Sequence, residues 1–235
     1  MSLKIKNLKK VYADIQIFND FNLEIEEEKI TCILGVSGIG KTLLLNTITG
    51  ITPADSADIS DFSCKTFSYI FQEPRLLRWK TVYGNILFAL KDFYSGKEAR
   101  NICNKYIDIV GLTKFKNYYP AAISGGMEQR VSIARAFAYP SNILLMDEPF
   151  KSLDFRLKKN IISTFINLWD SDRRTVIFIT HDIEEAAFIG DKIFILSNRL
   201  PVHIKKELNI DIPQKERGRD NKYILKIKKS LTENL

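Results

Sequence analysis

The run Gly35-Val36-Ser37-Gly38-Ile39-Gly40-Lys41-Thr42 satisfies the pattern Gly-x-x-x-x-Gly-Lys-[Ser/Thr]. Such a composition suits the capture of a phosphate chain. Glycines let consecutive backbone N–H groups turn inward around a β-phosphate, where larger residues would obstruct them. Lys41 supplies a point charge to the β- and γ-phosphates, and the Thr42 hydroxyl is placed to ligate Mg²⁺. A second constellation closes the apolar run Ile143-Leu144-Leu145-Met146 with Asp147, Glu148 and Pro149. There Asp147 can hold Mg²⁺ through water, while Glu148 can polarise a water that attacks the γ-phosphate. The third is Ser124-Gly125-Gly126-Met127-Glu128, a turn that opens the helical run Gln129 to Ala136. It builds another helix N-terminus with free N–H groups, hence a second anion-binding element. Two copies packed head-to-tail would let each second loop cap the γ-phosphate held by the other copy's first loop.

These groups need elements to position them. Ile30-Thr31-Cys32-Ile33-Leu34 is a continuous apolar run, expected of a strand buried on both faces, and it leads into the glycine loop. Leu43 to Ile48 continues as a helix. Upstream, Leu3 to Lys6 and Phe21 to Ile25 alternate apolar and polar residues, which predicts half-buried antiparallel strands. Thr66 to Phe71 reads as a strand that stops at Gln72. From Glu73 to Ile123 the texture turns helical, with Gly84, Gly96 and Gly111 as breakers. Strand character returns at Asn142–Met146, Thr175–Ile179 and Lys192–Leu196. Beyond Pro201 the pattern weakens, leaving only Tyr223–Lys229 as a short amphipathic helix. Strands alternating with helices imply a largely parallel sheet covered on both faces.

Composition narrows the classes further. Hydrophobic residues make up 45% of the 235 and charged residues 27%, ordinary for a globular chain and unlike a disordered one. No apolar run approaches the roughly 20 residues a bilayer requires. The N-terminus breaks its apolar residues with lysines and lacks a signal stretch, so residence in the cytosol is expected. Cys32, Cys64 and Cys103 form no paired motif and read as buried free thiols. The formal charge of +7 is weighted toward residues 205–235, with nine Lys/Arg against five Asp/Glu, and reads as a solvated basic tail. Taken alone, the first glycine loop fits kinases, GTPases, helicases and transport ATPases. Each motif also has an ordinary reading: a helix-capping turn at Ser124, a strand-end turn at Pro149.

The order of motifs resembles that of ABC-type ATPases and covers nearly the whole chain. The resemblance makes Gly35 to Thr42 the Walker A loop, Asp147 and Glu148 the Walker B pair, and Ser124-Gly125-Gly126-Met127-Glu128 the signature. It likens Tyr12 to the aromatic residue stacked on adenine. Gln72 resembles the glutamine at the hinge to the helical subdomain, serving nucleotide and Mg²⁺. Ser152-Leu153-Asp154 is similar to the D-loop, with Asp154 near the nucleotide, and His181 to the switch histidine. The implied fold is α/β: a P-loop cassette with a mostly parallel sheet, an N-terminal antiparallel β subdomain and an inserted helical subdomain. Its expected division is a nucleotide-binding core at 1–72 and 140–200, a helical subdomain at 73–139 and a basic tail at 201–235.

Phe71 to Val82, Glu148-Pro149-Phe150, Ile195 to Pro201 and Arg217-Gly218-Arg219-Asp220 resemble importers of nitrate, alkanesulfonates, taurine and thiamine precursors. That branch implies an ATP- and Mg²⁺-dependent ATPase, with Glu148 and His181 catalytic. It also implies a head-to-tail partner copy, two membrane-spanning permease subunits on whose cytoplasmic face the chain sits, and indirectly a solute-binding protein. Nucleic acid is not an expected partner; a soluble ABC ATPase acting on nucleic acid or ribosomes is the alternative that would give the basic charge a role. Four residues depart from the family pattern. Leu43 stands where a hydroxyl residue is usual, Arg78 replaces a proline, Glu128 an arginine or glutamine, and Lys151 a small residue. Glu128 would place a carboxylate near the partner copy's phosphate.

Overall fold

The computed structural model describes residues 1–151, 153–218 and 221–234. The alternating N-terminal segments form β1 (Ser2–Tyr12) and β2 (Ile15–Glu26), paired antiparallel. Leu3, Ile5, Leu8, Phe21, Leu23 and Ile25 are buried between polar neighbours, so the two strands cover one face and wet the other. The continuous run becomes β3 (Ile30–Leu34), buried at every residue, followed by the glycine loop and α1 (Lys41–Ile48). Next come β4 (Ser56–Asp58), which pairs with the other edge of β1, and β5 (Phe67–Ile70). Three helices follow: α2 (Val82–Leu90), α3 (Gly96–Ile109) and α4 (Gly125–Ala138). Then β6 (Ile143–Asp147), α5 (Phe155–Asp172), β7 (Thr175–Thr180) and α6 (Ile183–Ile189) alternate. The chain closes with β8 (Lys192–Leu196), β9 (Ile204–Asn209) and α7 (Lys222–Asn234).

Packing divides the chain into two units, Met1–Phe67 with Arg174–Leu235, and Ser68–Arg173. In the first unit β7 and β8 flank β3 and run parallel to it, while β9 lies antiparallel on β8. Burial of β3 and β7 at every position explains why neither run alternates. In the second unit β5 lies beside β6, and α2, α3 and α4 pack on one another. The helices hide Val82, Ile86, Leu90, Ala99, Cys103, Ile107 and Val131. Phe137 of α4 meets Phe165 of α5 edge-on at 5.8 Å between centroids. The architecture is α/β. Among the described residues, no helix is long and apolar enough to cross a membrane.

Helix starts follow local chemistry. Side-chain oxygens of Thr81, Ser95, Asp154 and Asp182 accept backbone N–H groups from the first turns of α2, α3, α5 and α6. Three sequence expectations are corrected. Gly84 does not break a helix but lies inside α2, because Thr81 starts the helix just upstream; its N–H donates to Thr81 Oγ1 at 3.1 Å. The glycine instead permits close approach, since a Cβ there would lie 3.2 Å from Lys80 Cβ. Cys64 is exposed, unlike the buried Cys32 and Cys103, because it follows a short surface helical turn at Ser60–Phe62. Finally, the chain beyond Pro201 is more structured than its weak pattern predicts. β9 alternates half-buried and exposed residues along β8, and α7 extends past Lys229 and buries Ile224, Ile227 and Leu231. Thinly spaced apolar anchors among many lysines carry little hydrophobic signal.

Candidate functional site

The first unit carries Tyr12, the glycine loop and His181. Gly35 is buried at the end of β3 and donates its N–H to Thr180 O at 3.3 Å. A side chain at Gly35 would crowd Leu196, its Cβ lying 3.2 Å from the Leu196 Cβ. Val36, Ser37 and Gly38 are exposed and Ile39 is anchored inside. Gly38 and Gly40 take φ of +81° and +108°, a left-handed backbone that glycine adopts without the strain of a Cβ. Gly40 caps α1 without a side chain, so this helix end presents backbone N–H groups. Lys41 is only 4% exposed, and its ammonium donates to Gly35 O at 2.7 Å and Val36 O at 2.9 Å. Both of these acceptors are neutral carbonyls. Thr42 is exposed one residue on, and Leu43, which departs from the family pattern, is half-buried.

Tyr12 ends β1 with 63% of its surface exposed, beside a turn in which Ala13 and Asp14 both have positive φ. His181 is exposed directly after β7. Its neighbour Thr180 accepts Gly35 N–H through its carbonyl, donates its hydroxyl to buried Glu185 at 2.7 Å, and accepts Asp182 N–H at 3.0 Å. Thr180 thus ties the base of the glycine loop to the turn that carries His181. Neither Thr180 nor Glu185 was apparent from motif spacing, and only the pairing of β3 with β7 reveals them.

The second unit carries Gln72, Ser124, Gly125, Gly126, Asp147, Glu148 and Asp154. Gln72 is exposed just after β5. The segment after it is pinned by Arg135 of α4, whose guanidinium donates to Pro74 O at 2.9 Å and Arg75 O at 3.0 Å. Asn85 of α2 binds the same segment, accepting Leu77 N–H at 2.8 Å and donating to Leu77 O. Ser124 caps α4, its hydroxyl accepting Met127 N–H at 3.4 Å, and Gly125 is open to solvent. Gly126 is buried, and a Cβ there would come within 2.8 Å of Leu157 Cδ1. Asp154 caps α5 through Leu157 N–H at 3.0 Å, while Ser152 lies outside the described residues.

Asp147 is half-buried at the end of β6, where Tyr69 donates its hydroxyl to Asp147 Oδ2 at 3.5 Å. Burial, followed by the Asp147 carboxylate, pushes the Tyr69 phenol far above its ordinary range, so it remains a donor. Glu148 is 7% exposed and holds a left-handed φ of 42°, a strained conformation of the kind that collects at functional sites. Lys151 Nζ lies 2.8 Å from Glu148 Oε2. Gln129 of α4 donates to Pro149 O at 2.7 Å, linking α4 to the turn after the carboxylates. Two other unusual residues are also partners: Arg78 and Glu128 meet at 2.7 Å. The Glu128 carboxylate is therefore paired within its own chain. Cys64 and Cys103 have no part in these clusters, and no group of metal-ligating side chains assembles elsewhere among the described residues.

Residues 18–151 match the sequence profile of the family described as ABC transporter. The chain is 36% identical to the nitrate import ATP-binding protein of Synechocystis sp., over 94% of this chain and 87% of that one. It is 34% identical to the aliphatic sulfonates import ATP-binding protein of Bacillus cereus, over 91% and 88%. A dimeric ATP-binding cassette solved in a post-hydrolysis state with ADP and Pi superposes with a TM-score of 0.75 at 29% identity. That match spans 89% of this chain and 98% of the other. A phosphate-cradling loop on an α/β sheet defines a P-loop nucleotide-binding protein. More narrowly, the chain belongs to the ABC transporter family and is an ATP-hydrolysing cassette.

Proposed function

We propose that this chain powers an importer of a small solute, anionic like nitrate or a sulfonate or resembling a thiamine precursor, through two partner permease subunits. The importer reading is supported by the named activities of its relatives. The observation that carries nucleotide binding is the Lys41 cradle: a buried ammonium held by two carbonyls at the root of the glycine loop. Gly35 to Thr42 would hold the ATP phosphates, and Tyr12 would stack on the adenine. Thr42, Gln72 and Asp147 are all oxygen donors, the set a hard cation such as Mg²⁺ takes. Bound there, Mg²⁺ would neutralise phosphate charge.

In this reading Glu148 accepts a proton from the attacking water, and His181 lies near the γ-phosphate. Ser124, Gly125, Gly126 and Asp154 of one copy serve the nucleotide held by the other, in a head-to-tail pair at the cytoplasmic face of the membrane. Residues 73–139 act as a helical subdomain that passes closure to the permease subunits through Gln72 to Asn85, and a solute-binding protein delivers the cargo.

The test of the base is Glu148→Gln. ATP binding is expected to persist while turnover falls about 10²- to 10⁴-fold, the usual worth of a general base. Undiminished turnover would overturn the assignment. Uptake of labelled nitrate and sulfonate in cells lacking the gene tests the importer: wild-type chain should restore one of them and Glu148→Gln should not. Unchanged uptake of every solute tried in such cells would count against this branch.

A further inference from the structure

We infer that Lys151 is a positioning residue that restrains the Glu148 carboxylate and so holds back idle ATP hydrolysis. The inference rests on the reading of Glu148 as the base and deepens it. Lys151 stands where the family pattern that this chain resembles has a small residue, which would be too short to make the contact seen here. Its ammonium lies 2.8 Å from Glu148 Oε2, with the carboxylate side chain 9% exposed and the lysine 39%. The backbone around the pair is braced as well. Lys151 N–H donates to Glu148 O at 3.2 Å, and Gln129 holds Pro149 O at 2.7 Å. Glu148 itself, within this braced turn, has a φ of 42°.

A general base must present an oxygen lone pair to the proton it takes. In hydrolysis, water gives that proton to the carboxylate as its oxygen bonds to the γ-phosphorus. The bond from that phosphorus to the bridging oxygen then breaks and releases ADP. An ammonium seated on Oε2 occupies that oxygen and fixes the carboxylate's orientation toward the lysine. Water has to compete with Lys151 for the base. The latch opens when the turn from Glu148 to Lys151 rearranges, which ties hydrolysis to movement of this turn. Because Lys151 is partly exposed and reaches no phosphate-binding residue among its described contacts, its removal acts on the base without removing a nucleotide contact.

The experiment measures steady-state ATP hydrolysis by the purified full chain carrying Lys151→Ala, Lys151→Gln or Lys151→Arg. For Ala and Gln, kcat is expected to rise about two- to fivefold, the scale of a partly exposed ion pair, with KM for ATP unchanged. Lys151→Arg should restore the wild-type rate, which a purely structural role would not predict. Either neutral variant, folded by circular dichroism, with unchanged or lower kcat would overturn the latch. Glu148→Gln run alongside separates the two ideas. If it keeps turnover, the base assignment fails. If it is inactive while Lys151→Ala and Lys151→Gln match wild type, only the latch fails.

Discussion

At the scale of single residues, the glycine loop trades chain freedom for a fixed cradle. Gly40 has a φ of +108°, and a Cβ would come within 2.7 Å of Ile17 Cγ2. Gly40→Ala should therefore lower stability by about 1–3 kcal/mol from backbone strain alone, read as a fall in the urea midpoint. A wild-type midpoint would show that the loop can relax around a side chain. Lys41 is the other costly residue, a nearly buried ammonium tolerated because two carbonyls accept its hydrogens. Arg78 and Glu128 are less consequential for stability: the arginine is 68% exposed, so their contact is worth no more than about 1 kcal/mol. Its importance is electrostatic, since the pair offsets a negative charge beside the N-terminus of α4.

At the scale of elements, local chemistry sets where helices begin and long-range contacts set which elements hold. The caps at Thr81, Ser95, Asp154 and Asp182 are legible in sequence because the donor and acceptor lie within three residues. The C-terminal segment is different. Arg217, in a stretch expected to be a solvated tail, is 2% exposed and binds Gly190 O at 2.6 Å, Ile212 O at 2.7 Å and Asp191 at 3.1 Å. Asp191 in turn accepts Ile30 N–H at 2.9 Å, so the clasp reaches the start of β3. Burial raises the Asp191 carboxyl, and these hydrogen bonds and the Arg217 charge act against that rise. Arg217→Met should cost about 3–5 kcal/mol, because it leaves a buried carboxylate without its cation. Urea unfolding checks this, and a loss under 1 kcal/mol would mean that Gln214 and Ile30 alone satisfy Asp191.

At the scale of the whole molecule, the motif residues are shared between two packed units, the glycine loop and His181 in one, the carboxylates and the signature turn in the other. In the proposed reading, the helix ends at Lys41 and Gly125 serve nucleotides shared with a second copy. Glu148→Gln with ATP and Mg²⁺ should elute from a sizing column at twice the 27.1 kDa monomer mass, and a persistent monomer would count against the head-to-tail pair. Much of this was readable beforehand. The strand into Gly35, the helix from Lys41 and the carboxylates ending β6 are contiguous patterns, so residue type and spacing alone determine them. The order of motifs along the chain thus already resembled the family that the sequence profile matches. Tertiary structure alone decided that Arg78 meets Glu128 across fifty residues of chain, that Thr180 joins the loop to the histidine turn, and that Arg217 is buried. It also seated Lys151 on Glu148, close in sequence yet brought together by an unusual backbone angle. The physical reason is the same in each case. A charged side chain pairs with whatever the folded backbone places within reach, and no periodicity in the sequence encodes that neighbour.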